Sequence, residues 1–285
     1  MNMKFLFCAL FLMFSTMATD SCIAARQTVA DDTIRVDSVE KIVMTDNAHA
    51  VVYVDYPVSG PAILRDSIEK YILNELSRGW DESVVLKPLP VSREAVGLRA
   101  KRIHASLDDM YKEFAASVDD PNEDYVKSMM YETDVMLRKV CETEDFVTYT
   151  NRYYEYLGGA HGITGMDGVT FLKPSGKLVG YVVDNLKLTE LQPILRKGIV
   201  EYFQESEVEM TEEEIIESLF VEDGIIPLPF CKPYFTKGGL TFLYGQYEIG
   251  AYAIGMPNFV VPYETIFPYL TSEGKQIVSK ILNRE

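Results

Sequence analysis

FVTYTNRYYEYLGGAHG, residues Phe146 to Gly162, is the stretch that decides the kind of fold. From Phe146 to Leu157 it is dense in β-branched and aromatic side chains, which suit a half-buried pleated surface. Gly158 and Gly159 end that strand, because glycine reaches the positive φ values a sharp turn needs. Gly162 lets the following strand leave at close approach. His161 sits in this cradle, and two readings of it are open. In one it bonds the loop backbone. In the other it is a catalytic base oriented by Glu155 or Asp167.

Working outward, AVVYVDY at Ala50–Tyr56 alternates and reads as a strand. Pro61 opens a helix with Leu64, Ile68, Ile72 and Leu76 on one face, and Gly79 stops it. A second helix carries Leu107, Met110, Tyr111 and Phe114 as its core stripe. Met129–Cys141 fits a helix by spacing and a strand by alternation. Val169–Leu172, the turn at Lys173–Lys177 and a return over Leu178–Val182 read as a meander. Helix follows over Leu188–Phe203, then a capping box of Thr211 with Glu214. A Pro-rich stretch leads to a hairpin turning at Lys237-Gly238-Gly239, a strand over Asn258–Val261 and helices near Tyr263–Leu270 and Ser272–Leu282. Helices beside antiparallel strands, without βαβ alternation, give an α+β fold with helices on one face.

The N-terminus speaks to compartment. Lys4 precedes an apolar run from Phe5 to Phe14, too short to span a bilayer, and small residues follow. This is a secretory signal over residues 1–22. Cys22 stands where a lipoprotein carries its lipidated cysteine, with ordinary cleavage near Ala24 or Ala25 as the alternative. Residues 23–39 are polar and read as a tether. The protein is therefore expected outside the cytoplasm, periplasmic or outer-surface, and anchored to the membrane by lipid if Cys22 and not the Ala24–Ala25 site is used. Cys141 and Cys231 either pair there or are simply buried.

The net charge of −16 repels phosphate backbones, so no nucleic-acid partner is expected, and it attracts cationic ones. The three histidines, His49, His104 and His161, lie too far apart in sequence for a metal pair. No nucleophile elbow and no phosphate loop is present. No metal or cofactor is expected. YGQYEIGAYAIG, Tyr244–Gly255, sets tyrosines among glycines. Such tyrosines either plug the base of a sheet or form a platform for sugar rings or a protein partner.

These two glycine-rich stretches, in this order and with FVVPYETIFPYL after them, resemble the extracytoplasmic C-terminal region shared by RsiV-type anti-sigma factors and PdaC-type peptidoglycan deacetylases. The resemblance covers about Tyr153 to Leu270, and VVYVDYPVSGPAILRDSIEKYI at Val51–Ile72 looks like the preceding domain of that family. It implies that Met129–Cys141 is a strand, and that the chain is an envelope module of a kind that senses lysozyme in RsiV. It also implies two consecutive subdomains, 40–150 and 151–285. Only Met1–Lys4 precede the apolar run, and the clustered metal-binding histidines and aspartates of the deacetylase are missing, so neither named activity transfers. The expectation is a non-catalytic binding protein for peptidoglycan or a lysozyme-like basic protein. Its contact residues would be Tyr247, Glu248, Tyr252 and His161. The alternative is a cell-wall hydrolase using His161 with Glu155 or Asp167.

Overall fold

The computed structural model describes residues 32–78, 89, 92–119, 124–205 and 210–284. The signal segment, Cys22, the first part of the tether and Gly79 lie outside them. Strand β1 (Arg35–Met44) pairs antiparallel with β2 (Ala48–Ser59), Val39 opposite Val54 and Val43 opposite Ala50. The tether expected through residue 39 is thus corrected: Arg35–Val39 already belongs to the sheet. Its alternation is masked because Lys41 occupies the helix-facing position between Val39 and Val43, its stem lying near α2.

Helix α1 (Ala62–Ser77) begins after Pro61 and buries Leu64, Ile68, Ile72 and Leu76 completely. Helix α2 (Glu94–Ser117) buries Leu107 and packs Tyr111 and Phe114 against the same cluster. Met110, expected in that stripe, is exposed instead, because the second half of α2 meets the sheet through a narrower face. After the short α3 (Asp124–Ser128) comes β3 (Tyr131–Glu142), a strand as the resemblance implies. It pairs parallel with β2, since α1 and α2 carry the chain back between them. Strands β4 (Phe146–Tyr156) and β5 (Ile163–Leu172) complete a sheet of order β1-β2-β3-β4-β5.

The return strand expected over Leu178–Val182 shrinks to a single bridge between Phe171 and Leu178. Helix α4 (Leu188–Glu205) and α5 (Glu212–Glu217) follow, the latter with both bonds of the Thr211–Glu214 capping box. A smaller sheet of β6 (Tyr234–Thr236), β7 (Gly239–Leu243) and β8 (Asn258–Val261) precedes α6 (Tyr263–Ile266) and α7 (Ser272–Leu282). The fold is α+β. Among the described residues no helix is long and apolar enough to cross a membrane.

Two hydrophobic clusters form. One lies between α1, α2 and the five-stranded sheet, built on Val52, Val54, Val135 and Tyr149. The other gathers α4, the small sheet and α7 around Phe235, Phe242 and Ile199. The division expected at 150/151 falls inside β4, where Phe146 serves the second cluster and Val147 and Tyr149 the first. Alternation on β2 and β3 sends Ala50, Val52 and Val135 under the helices and leaves His49, Glu132 and Asp134 on the opposite, open face.

Candidate functional site

The GGAHG segment is a turn built as its glycines require. Gly158 and Gly159 adopt φ of 83° and 101°. The Tyr156 hydroxyl donates to the Gly159 carbonyl at 3.0 Å and holds the bend. A Cβ on Gly162 would lie 2.6 Å from Cζ of the Tyr154 ring, so only glycine admits that ring beneath the loop. His161 is presented outward. Its Nδ1 lies 3.1 Å from the Gly162 carbonyl, which only accepts, so Nδ1 carries the proton. Nε2 lies 3.1 Å from the Tyr247 hydroxyl and in that tautomer accepts from it. The imidazole stacks on Tyr252 with centroids 3.6 Å apart and planes 16° from parallel. Tyr247 lies 5.7 Å from Tyr252 and is 49% exposed.

The facing loop leaves β7 and is braced from several sides. Gln246 Oε1 accepts from the Thr164 amide at 2.6 Å, fastening it to the start of β5. Glu248 accepts from the amides of Gly245 and Phe230, each at 2.6 Å. Burial raises the Glu248 carboxyl above its ordinary range, and these two amides oppose the shift. Glu248 is therefore a brace between the loop and the Pro-rich segment, with both oxygens occupied, and not an open contact group. Tyr247 takes φ of 64°, an uncommon setting for a bulky side chain that turns it toward His161. Tyr202 donates to the Ile254 carbonyl at 3.0 Å and steadies the turn bearing Tyr252.

Three of the four contact residues read from the sequence, His161, Tyr247 and Tyr252, thus converge on one exposed rim. The acid–base alternative does not assemble. Glu155 is half-buried, its carboxyl raised by burial and partly restored by a hydrogen bond from Tyr153. Asp167 accepts from the Gly168 amide at 2.8 Å and from Cys231 Sγ at 3.2 Å. Among the described residues neither nitrogen of His161 meets a carboxylate. The cysteines do not pair: Cys141 and Cys231 are free thiols, both raised chiefly by burial. Tyr154, Tyr156 and Gln246 were not singled out in the sequence. The first two are two residues apart on β4, and that period places them on the rim side together.

The half-buried carboxyls bear on stability. Glu75, Asp134, Glu155 and Glu248 are all raised, with burial as the largest cause in each. A raised folded-state pKa contributes stability below the ordinary carboxylate range and loses it as pH rises through the raised value. Glu142 runs the other way: burial is outweighed by hydrogen bonds from Lys139, Lys173 and the Ile34 amide. Glu214 is also lowered, by its capping bonds with Thr211, but it lies on the surface; four groups against two, on a chain of net charge −16, predict a higher melting temperature at pH 5 than at pH 7.5. Thermal denaturation at the two values checks this, and a lower midpoint at pH 5 contradicts it.

Residues 182–264 match the model of a family described as a protein of unknown function, DUF3298. That segment lies inside the stretch from Tyr153 to Leu270 on which the resemblance rests. No curated protein matches the chain. A solved structure of a DUF3298 family member from Bacteroides fragilis is similar, with a TM-score of 0.63 and 21% identity over 88% of this chain and 99% of that one. Another from Pseudomonas aeruginosa has a TM-score of 0.51 and 15% identity over 86% of this chain and 97% of that one. At these identities the likeness is one of fold.

Proposed function

We propose that this chain is an exported, non-catalytic binding protein of the cell envelope that holds an envelope glycan against the rim of His161, Tyr247 and Tyr252. The stacked His161–Tyr252 pair carries the reading. It offers a flat, outward aromatic surface on two braced loops, suited to the apolar face of a sugar ring at small entropic cost. The hydrogen bonds of His161 fix the ring, and among the described residues no carboxylate meets it, which supports binding over acid–base chemistry. A second reading, a cationic protein such as a lysozyme, is favoured by the net charge of −16. Export and anchoring rest on Lys4, the apolar run and Cys22.

Co-sedimentation with purified peptidoglycan and surface-binding measurements with lysozyme test the ligand. A lysozyme complex should form more slowly as salt rises, because the Debye length falls from about 10 Å at 0.1 M to about 3 Å at 1 M. Retention by neither material at low salt sinks the reading. For the anchor, the chain should fractionate with membranes in its host and Cys22→Ala should release it in soluble exported form. Recovery of the uncleaved chain from the cytoplasm would end that part of the account.

A further inference from the structure

The open face of the five-stranded sheet adjoins the rim and carries side chains that the rim does not use. The register sets Asp134 opposite Tyr154, Glu132 opposite Tyr156 on one side and His49 on the other, and Arg152 opposite Met136. Asp134 and Arg152 are therefore diagonal neighbours on adjacent strands, about 7–8 Å apart. They are not paired with each other: burial raises the Asp134 carboxyl, and His49 and then Arg152, both near but not in contact, lower it. Among the described residues Asp134 accepts no hydrogen bond and makes no ion pair. The Arg152 guanidinium contacts soft partners among the described residues, Met136 Sδ at 3.9 Å and the Tyr154 ring at 5.8 Å. Glu132 has one ion-pair partner among the described residues, the distant His49 Nδ1 at 3.9 Å.

Half-desolvated charges of both signs, held rigidly on strands and paired weakly or not at all, are costly to the fold unless something completes them. A surface serving solubility alone would pair them or expose them fully. Continuity points the same way. Tyr154 lies under Gly162 of the rim, so one surface runs from the stacked rings onto the sheet.

We propose that this face is a subsite for a short peptide carrying both an ammonium and a carboxylate. Asp134 and Glu132 take the ammonium, and Arg152 takes the carboxylate. The separation of the two signs matches about two residues of extended peptide at 3.3–3.6 Å each. The alternation of sign excludes a purely cationic or purely anionic ligand. The inference rests on the envelope-glycan reading of the rim, and it makes the preferred ligand a glycan that bears a short peptide.

Titration calorimetry on the full chain with three probes separates the two ideas. The probes are a tetramer of N-acetylglucosamine, an unattached lysine-containing tripeptide with free termini, and the same tripeptide on a muramyl sugar. The muramyl tripeptide should bind at least tenfold tighter than the sugar tetramer. Asp134→Asn and Arg152→Gln should each remove at least tenfold of its affinity and leave the tetramer unaffected. Asp134→Asn is isosteric and breaks no existing bond, so an unchanged melting temperature certifies the comparison. Equal binding of sugar and muramyl tripeptide, or indifference to both variants, overturns the peptide subsite and leaves the rim intact. A silent tetramer with tripeptide binding that depends on Asp134 supports the subsite and removes the glycan from the rim. Silence of all three overturns both. Loss of lysozyme binding in Asp134→Asn, with both tripeptides silent, overturns the peptide in favour of a protein.

Discussion

Replacing Tyr252 by alanine is expected to weaken ligand binding at least thirtyfold while leaving the fold intact. The ring is one half of the stacked pair, and truncating a central interface aromatic costs about 2 kcal/mol or more, which is about thirtyfold in Kd. The fold should tolerate the change because Tyr252 is half-exposed in a single 3-10 turn, and the bond that steadies the turn comes from Tyr202 to Ile254. Tyr252→Phe keeps the ring and should bind nearly as well as the parent. His161→Ala gives up the stack and the Tyr247 bond, with a stability cost of about 1 kcal/mol for the lost hydrogen bond. Calorimetric titration with peptidoglycan fragments, paired with thermal melts, reads both effects. An unchanged Kd in Tyr252→Ala removes the rim from the account.

The largest loss of stability is expected at Gly239, where β7 begins. Its φ is 146°, and a Cβ there would lie 2.7 Å from the Val261 carbonyl carbon and closer still to its oxygen. The clash is with backbone. Val261 cannot step aside, because it pairs with Leu240 in the small sheet and sits in the second cluster. Gly239→Ala should therefore cost about 3 kcal/mol or more from strain and overpacking together, lowering the melting temperature by about 6–12 °C. Gly238 is the control. The nearest atom to a Cβ there is a Val260 methyl at 3.6 Å, ordinary contact, so Gly238→Ala should be nearly neutral. Equal midpoints for the two variants contradict this account of the turn.

What could be read from the chain was whatever local chemistry states outright. Leu64, Ile68, Ile72 and Leu76 declare a helix face by spacing alone, and all four are fully buried. Thr211 and Glu214 declare a helix start, and Gly158 and Gly159 a turn, because each needs only near neighbours. The losses lie where a distant partner decides. Strand β1 is an edge strand whose alternation Lys41 interrupts, so its membership of the sheet depends on β2. The parallel pairing of β2 with β3 spans two intervening helices. The rim was half legible. Tyrosines among glycines marked Tyr247 and Tyr252, but nothing near them in sequence announces that His161, far upstream, lies against both. Glu248 looked like an exposed contact because the Phe230 amide that claims it comes from a separate loop. Asp167 looked like a partner for His161 until its bond from Cys231 was visible.

The most direct measurement on the central claim follows the imidazole resonances of the three histidines by NMR as the N-acetylglucosamine tetramer is titrated to saturation. His161 is stacked on Tyr252 and bonded to Tyr247, whereas His104 bonds Thr45 on the other side of the sheet. A sugar on the rim predicts that the His161 signals move in step with saturation while those of His104 stay fixed. Saturable binding with the His161 resonances unmoved would contradict the account.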